Sequence, residues 1–128
     1  MSNVQLSILF TNRKTNMSGS KTIHNSTPFT LNVTIIGRKG SEPSQDGNYV
    51  SASIAPNASY TLQYGNDQNP YMNVLRFSIS GQGMTDDVSL RATERGGAGT
   101  LDAFYNTHST ITVGYIASTF SFPLSASN

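Results

Sequence analysis

The stretch YTLQYGNDQNPYMNVLRFSISG, residues 60–81, decides the fold class. Tyr60, Leu62 and Tyr64 fall on one side of an extended chain, and Leu75, Phe77 and Ile79 do the same after the turn, which is the period of a half-buried strand. Between them Gly65-Asn66-Asp67-Gln68-Asn69-Pro70-Tyr71 is too polar to bury and reads as a surface loop.

Working outward, the same alternation recurs on both sides. Upstream it runs through Val4, Leu6, Ile8 and Phe10, then through Phe29, Leu31, Val33 and Ile35, and then through Val50, Ala52 and Ile54. Pro56-Asn57 supplies turn geometry, so residues 49–64 read as a hairpin. Downstream follow Val88, Leu90 and Ala92, then Ile111, Val113 and Tyr115, and a last strand of Phe120, Phe122 and Leu124 that Pro123 places at an edge or a bulge. Thr100 to Asn106 is the one helix candidate, with Thr100 as N-cap and Leu101, Phe104 and Tyr105 on one side. Eight or nine short strands, each with one apolar face, predict a single all-β domain over residues 1–128, an antiparallel β-sandwich or jelly roll. Its expected core is Leu6, Ile8, Phe29, Leu31, Val33, Ile54, Leu62, Leu75, Phe77, Ile79, Leu90, Ile111, Val113 and Phe122.

A chain of 128 residues is large enough to form such a core without a staple. It has no cysteine, which removes a thiol nucleophile, a disulfide framework and a Cys-ligated zinc. The opening residues alternate apolar with polar, and the basic pair Arg13-Lys14 follows them, so no signal peptide is expected and synthesis is read as cytoplasmic. No apolar run approaches the roughly 18 residues of a membrane helix. Net charge is +1 with 12% charged residues, and no basic cluster exceeds a pair, so nucleic acid is not an expected partner. About a third of the residues are Ser, Thr or Asn, a neutral hydrogen-bonding surface that permits close self-packing.

Catalytic constellations are sparse. His24 and His108 lie far apart with no G-x-S-x-G elbow, and Asp86-Asp87 are strand neighbours that point to opposite faces, so neither a hydrolytic triad nor a glycosidase pair is expected. Arg95-Gly96-Gly97-Ala98-Gly99 lacks the Lys-Ser/Thr of a phosphate loop and reads as a linker. No cofactor is expected; calcium is the one candidate ion, through Asn66, Asp67 and Asn69 with Asp86 or Asp87. The triplets at Asn16, Asn25, Asn32 and Asn57 match glycan acceptors, though a composition so rich in Asn, Ser and Thr produces such triplets by chance. The rows Thr30-Asn32-Thr34 and Thr110-Thr112 resemble the threonine ladders of ice-binding surfaces, without a repeat to hold them in register. In size and lack of cysteine the chain is similar to the aegerolysin-type β-sandwiches, whose members act at membranes. It departs from them in having no tryptophan and no acidic excess, and no site residue is carried over.

Two functional expectations follow. The first is a non-enzymatic self-assembling subunit whose partner is its own copy, with Val4, Leu6, Ile8 and Phe10 or Phe120, Phe122 and Leu124 as the exchanged edge strands. The second is a module binding a glycan or membrane surface through loops 37–48 and 65–73, with Tyr71 stacking and Asn66, Asp67 and Asn69 hydrogen bonding. The second requires both loops to share one end of the sandwich.

Overall fold

Most of the alternating runs become strands where the computed structural model describes the chain, over residues 19–40, 45–65, 71–81, 84–92 and 99–128. The strands are β1 (Gly19–Asn25), β2 (Thr30–Arg38), β3 (Asp46–Ile54), β4 (Ser59–Tyr64), β5 (Met72–Gly81), β6 (Met84–Arg91), β7 (Thr110–Val113) and β8 (Leu124–Ser127). One helix, α1 (Leu101–Asn106), precedes β7. The strands form two four-stranded sheets, β4-β1-β7-β8 and β3-β2-β5-β6, and their inner faces make an all-β sandwich. The expected N-terminal strand, with Val4, Leu6, Ile8 and Phe10, lies outside the described residues.

The buried set follows the alternation. Phe29, Leu31, Val33, Ile54, Leu62, Leu75, Phe77, Ile79, Ile111 and Val113 are buried as expected, while Leu90 and Phe122 are partly buried against them. Ile23, Ile35, Tyr64, Met72, Val74 and Tyr105 join them. Thr100 caps α1, its hydroxyl accepting from the Ala103 N–H at 3.1 Å.

Three expectations are corrected. Residues 49–64 are not a hairpin: β3 and β4 belong to different sheets, and the turn at Pro56-Asn57 is a corner between them. The fully buried Asn25 fixes that corner by donating from Nδ2 to the Phe29, Ile54 and Ala55 carbonyls while its Oδ1 accepts from Thr27. Asn57 takes a left-handed φ of 64° there, and its N–H donates to the Asn25 carbonyl at 2.7 Å. Second, the sandwich is not wholly antiparallel, because β7 pairs with β1 in parallel, Thr22 opposite Thr110 to Asn25 opposite Val113. The chain enters β7 from α1 at the end where β1 begins, so both strands run the same way. Third, the last strand is Leu124–Ser127 rather than Phe120–Leu124. Phe120 sits in a turn at φ 49°, and its ring joins those of Tyr115, Phe122 and Phe29 in an edge-to-face cluster. Leu124 pairs with Val113 on the outermost strand of its sheet.

Candidate functional site

One end of the sandwich gathers the described parts of both loops. β2 ends and β3 begins there, β4 gives way to Gly65, and Tyr71 leads into β5; the Arg38 N–H donates to the Tyr71 carbonyl at 3.0 Å. α1 closes the same end. Tyr71 lies at this end, whereas Asn66, Asp67 and Asn69 lie outside the described residues.

A β-bulge builds the floor. In β2 the inward residues are Leu31, Val33 and Ile35, so an unbroken strand would turn Arg38 outward with Ile36. The register shifts between Ile36 and Arg38, and the extra residue turns the Arg38 side chain inside instead, where it is 6% exposed. There Nε donates to Asn73 Oδ1 at 2.7 Å, and the guanidinium forms an ion pair with the buried Asp102 at the start of α1. Asn73 in turn donates to the Gln45 carbonyl and to Asp46 Oδ1, and Asp46 receives both guanidinium nitrogens of Arg91 at 2.9 and 2.6 Å. The hydrogen bonds from Arg91 hold the Asp46 carboxyl below its ordinary value. Asn106 at the end of α1 accepts from the Met72 N–H, donates to the Met72 carbonyl and donates to Asp102 Oδ1 at 2.8 Å. Tyr105 reaches from α1 into the core, where its hydroxyl donates to the Leu90 carbonyl and accepts from the Leu75 N–H.

Two clefts open at this end, one lined by Arg38 and the other by Tyr71. The Tyr71 ring is 46% exposed, and its centroid lies 5.5 Å from the Arg38 guanidinium carbon, a stacking contact that fixes its orientation. On one side Arg38, Lys39, Asp46, Gly47, Asn48 and Gly65 line a cleft of about 500 Å³. On the other, β1, β4, Tyr71 and the residues after α1 enclose about 440 Å³, with Ser20, Lys21, Tyr64, Asn106, Thr107 and His108 among the walls.

Sequence reading missed Lys21 and Tyr64 in this second cleft. Lys21 is 3% exposed, and its ammonium donates to the Tyr105 and His108 carbonyls at the end of α1. Burial pushes its pKa down. Tyr64 is 2% exposed, and burial pushes its phenol up to about 12. The alternation Gly19, Lys21, Ile23 does carry the inward position of Lys21, but a lysine in a polar run is ordinarily solvated.

The other candidates separate. Among the described residues no group of three His, Cys, Asp or Glu side chains lies close enough to hold a metal. His24 and His108 do not meet: His24 faces outward and pairs with Ser59 Oγ at 2.7 Å, while His108 lies beside Thr107 and the Phe104 carbonyl. Asn25 of the Asn25-Ser26-Thr27 triplet is wholly buried, which rules it out as a glycan acceptor in the folded chain. Thr34 and Thr112 stand on the outer faces of opposite sheets, so the two threonine rows do not form one ladder. Among the described residues no helix is long and apolar enough to cross a membrane. No protein-family model matches the chain, and neither the curated proteins nor the solved structures include a significant match to it.

Proposed function

We propose that the chain is a non-enzymatic binding module that takes up a glycan at the loop end of its sandwich. The observation that carries this reading is Tyr71, a half-exposed aromatic residue that lines one cleft and lies against Arg38, which lines the other. Sugars present apolar C–H faces to aromatic rings and hydroxyls to amides and hydroxyls, and this arrangement offers both kinds of partner. The Arg38–Asp102–Asn106 and Asn73–Asp46–Arg91 contacts hold the floor in place, which lowers the cost of ordering on binding. A glycan array followed by titration calorimetry tests it, with Tyr71→Ala expected to weaken binding at least tenfold and to leave the melting temperature unchanged. Binding to liposomes in place of glycans would move the site to a membrane surface, and a chain silent in both assays would refute it.

A second reading is self-assembly, supported by the outer face of the β4-β1-β7-β8 sheet. Its rows Thr61-Thr22-Thr110-Ser127 and Ser59-His24-Thr112-Ser125 contain no Lys, Arg, Asp or Glu. Two copies meeting there would face no charge repulsion and many hydroxyl partners. Light scattering at rising concentration tests it: growth in mass that Thr22→Glu abolishes supports assembly through this face, and a constant 13.8 kDa particle refutes it.

A further inference from the structure

We infer that the cleft beside β1 and α1 selects a negatively charged sugar, whose carboxylate or sulfate oxygens are held by Lys21 and Tyr64. The inference rests on the glycan reading of the loop end and names the ligand class.

It begins from two buried donors with capacity to spare. The Lys21 ammonium carries three N–H donors, and its partners are the two carbonyls of Tyr105 and His108; no carboxylate pairs with it among the described residues. Those carbonyls orient the ammonium and offset part of its charge, since a helix C-terminus carries only a fraction of a negative charge. Tyr64 is buried to 2% exposure, yet its hydroxyl has no hydrogen-bond partner among the described residues. Buried polar groups in folded proteins are almost always paired, so an orphan phenol lining a cleft calls for a partner from outside.

The two residues line the same cleft. Lys21 stands opposite Leu62 and Tyr64 opposite Gly19 in the β1–β4 ladder, and both side chains lie on the inner face, which makes them diagonal neighbours. Such neighbours lie roughly 7–8 Å apart, near enough for their tips to hold one small group. A positive N–H donor beside a neutral hydroxyl suits an acceptor-only anion, because the ammonium charge strengthens a bond to a carboxylate or sulfate oxygen more than one to a neutral sugar hydroxyl. About 440 Å³ suits a sugar ring or two, with the Ser20 and Thr107 hydroxyls on its walls for ring hydroxyls and Tyr71 lining it for the ring face. An ammonium is a point charge without the planar fork of a guanidinium, so this pair reads charge ahead of shape, and carboxylate and sulfate are both admitted.

The experiment compares glucuronate-terminated, N-acetylneuraminate-terminated and sulfated glycans with their neutral counterparts, on the wild-type chain and on Lys21→Met, Tyr64→Phe and Tyr71→Ala. Acidic glycans are expected to bind at least tenfold more tightly than neutral ones, and Lys21→Met to abolish that preference. Tyr64→Phe is expected to weaken acidic glycans about tenfold with an unchanged or raised melting temperature, and it decides the matter should Lys21→Met fail to fold. The carboxylate and sulfate arms separate the two sources of negative charge. Equal binding of neutral and acidic glycans, or wild-type affinity in Tyr64→Phe, overturns the inference while the glycan reading stands on Tyr71→Ala. No binding of either glycan class overturns both.

Discussion

Tyr64 is a residue at which stability and recognition oppose each other. Tyr64 is buried and its hydroxyl has no partner among the described residues, so removing it relieves a desolvation cost. Tyr64→Phe is expected to leave the unfolding free energy unchanged or raise it by about 1 kcal/mol, measured by urea denaturation. The same burial sets a pH response: the unfolded phenol ionises near 10, whereas the folded one is pushed up to about 12, and that of Tyr105 is raised as well. The contribution is therefore intact below pH 10 and is lost as pH rises from 10 through the folded value, by up to about 3 kcal/mol for Tyr64. Lys21 has the opposite sign, because its folded pKa lies below 10.5 and the unfolded chain holds the proton longer, so stability from this group rises with pH across that window. Denaturation midpoints between pH 8 and 12 are expected to show the alkaline loss, shallower in Tyr64→Phe. Asn25 is the counterexample, a buried amide with every partner in place. Asn25→Ala strands three carbonyls at the corner and is expected to cost about 3 kcal/mol or more.

At the scale of elements, the bulge at the end of β2 decides what the loop end is made of. It converts Arg38 from an outward strand residue into the buried partner of Asp102. Removing one member of such a pair leaves an uncompensated charge, so Arg38→Met is expected to cost about 3–5 kcal/mol, and Arg38→Met combined with Asp102→Leu to recover most of it. The recovery distinguishes a pair that positions Tyr71 from one that holds the fold: the double variant should refold fully yet bind glycans more weakly, because the Tyr71 ring loses its guanidinium support. Helix α1 was legible from its cap and its apolar side. Its position across the end of the sandwich was not, since that depends on Asn106 finding Met72, 34 residues away in sequence.

For the whole molecule, the two sheets share one core in which Phe77 from one sheet meets Phe122 from the hairpin that feeds the other. Unfolding is expected to be a single cooperative transition, with Phe77→Ala lowering its free energy by about 3–5 kcal/mol and far-UV circular dichroism dominated by strand signal throughout. The strands and most core residues were legible in the sequence because side chains alternate with a period of two, a rule that needs no knowledge of neighbours. It left open whether loops 37–48 and 65–73 share one end, which the binding expectation required and which depends on how the strands pair. It was silent on which strands pair, and so residues 49–64 read as a hairpin although Asn25 clamps a corner between sheets. It was equally silent on the cleft. Lys21, Tyr64, Arg38 and Asp102 come from four separate segments, and each alone reads as an ordinary polar or strand residue. The sequence by itself determined the all-β class, the absence of thiol chemistry and the neutral surface, because composition and local period suffice for these. Tertiary structure alone decided the parallel β1–β7 pair, the inward turn of Arg38 and the placing of Lys21 and Tyr64 along one cleft, because each depends on contacts between residues far apart in the chain.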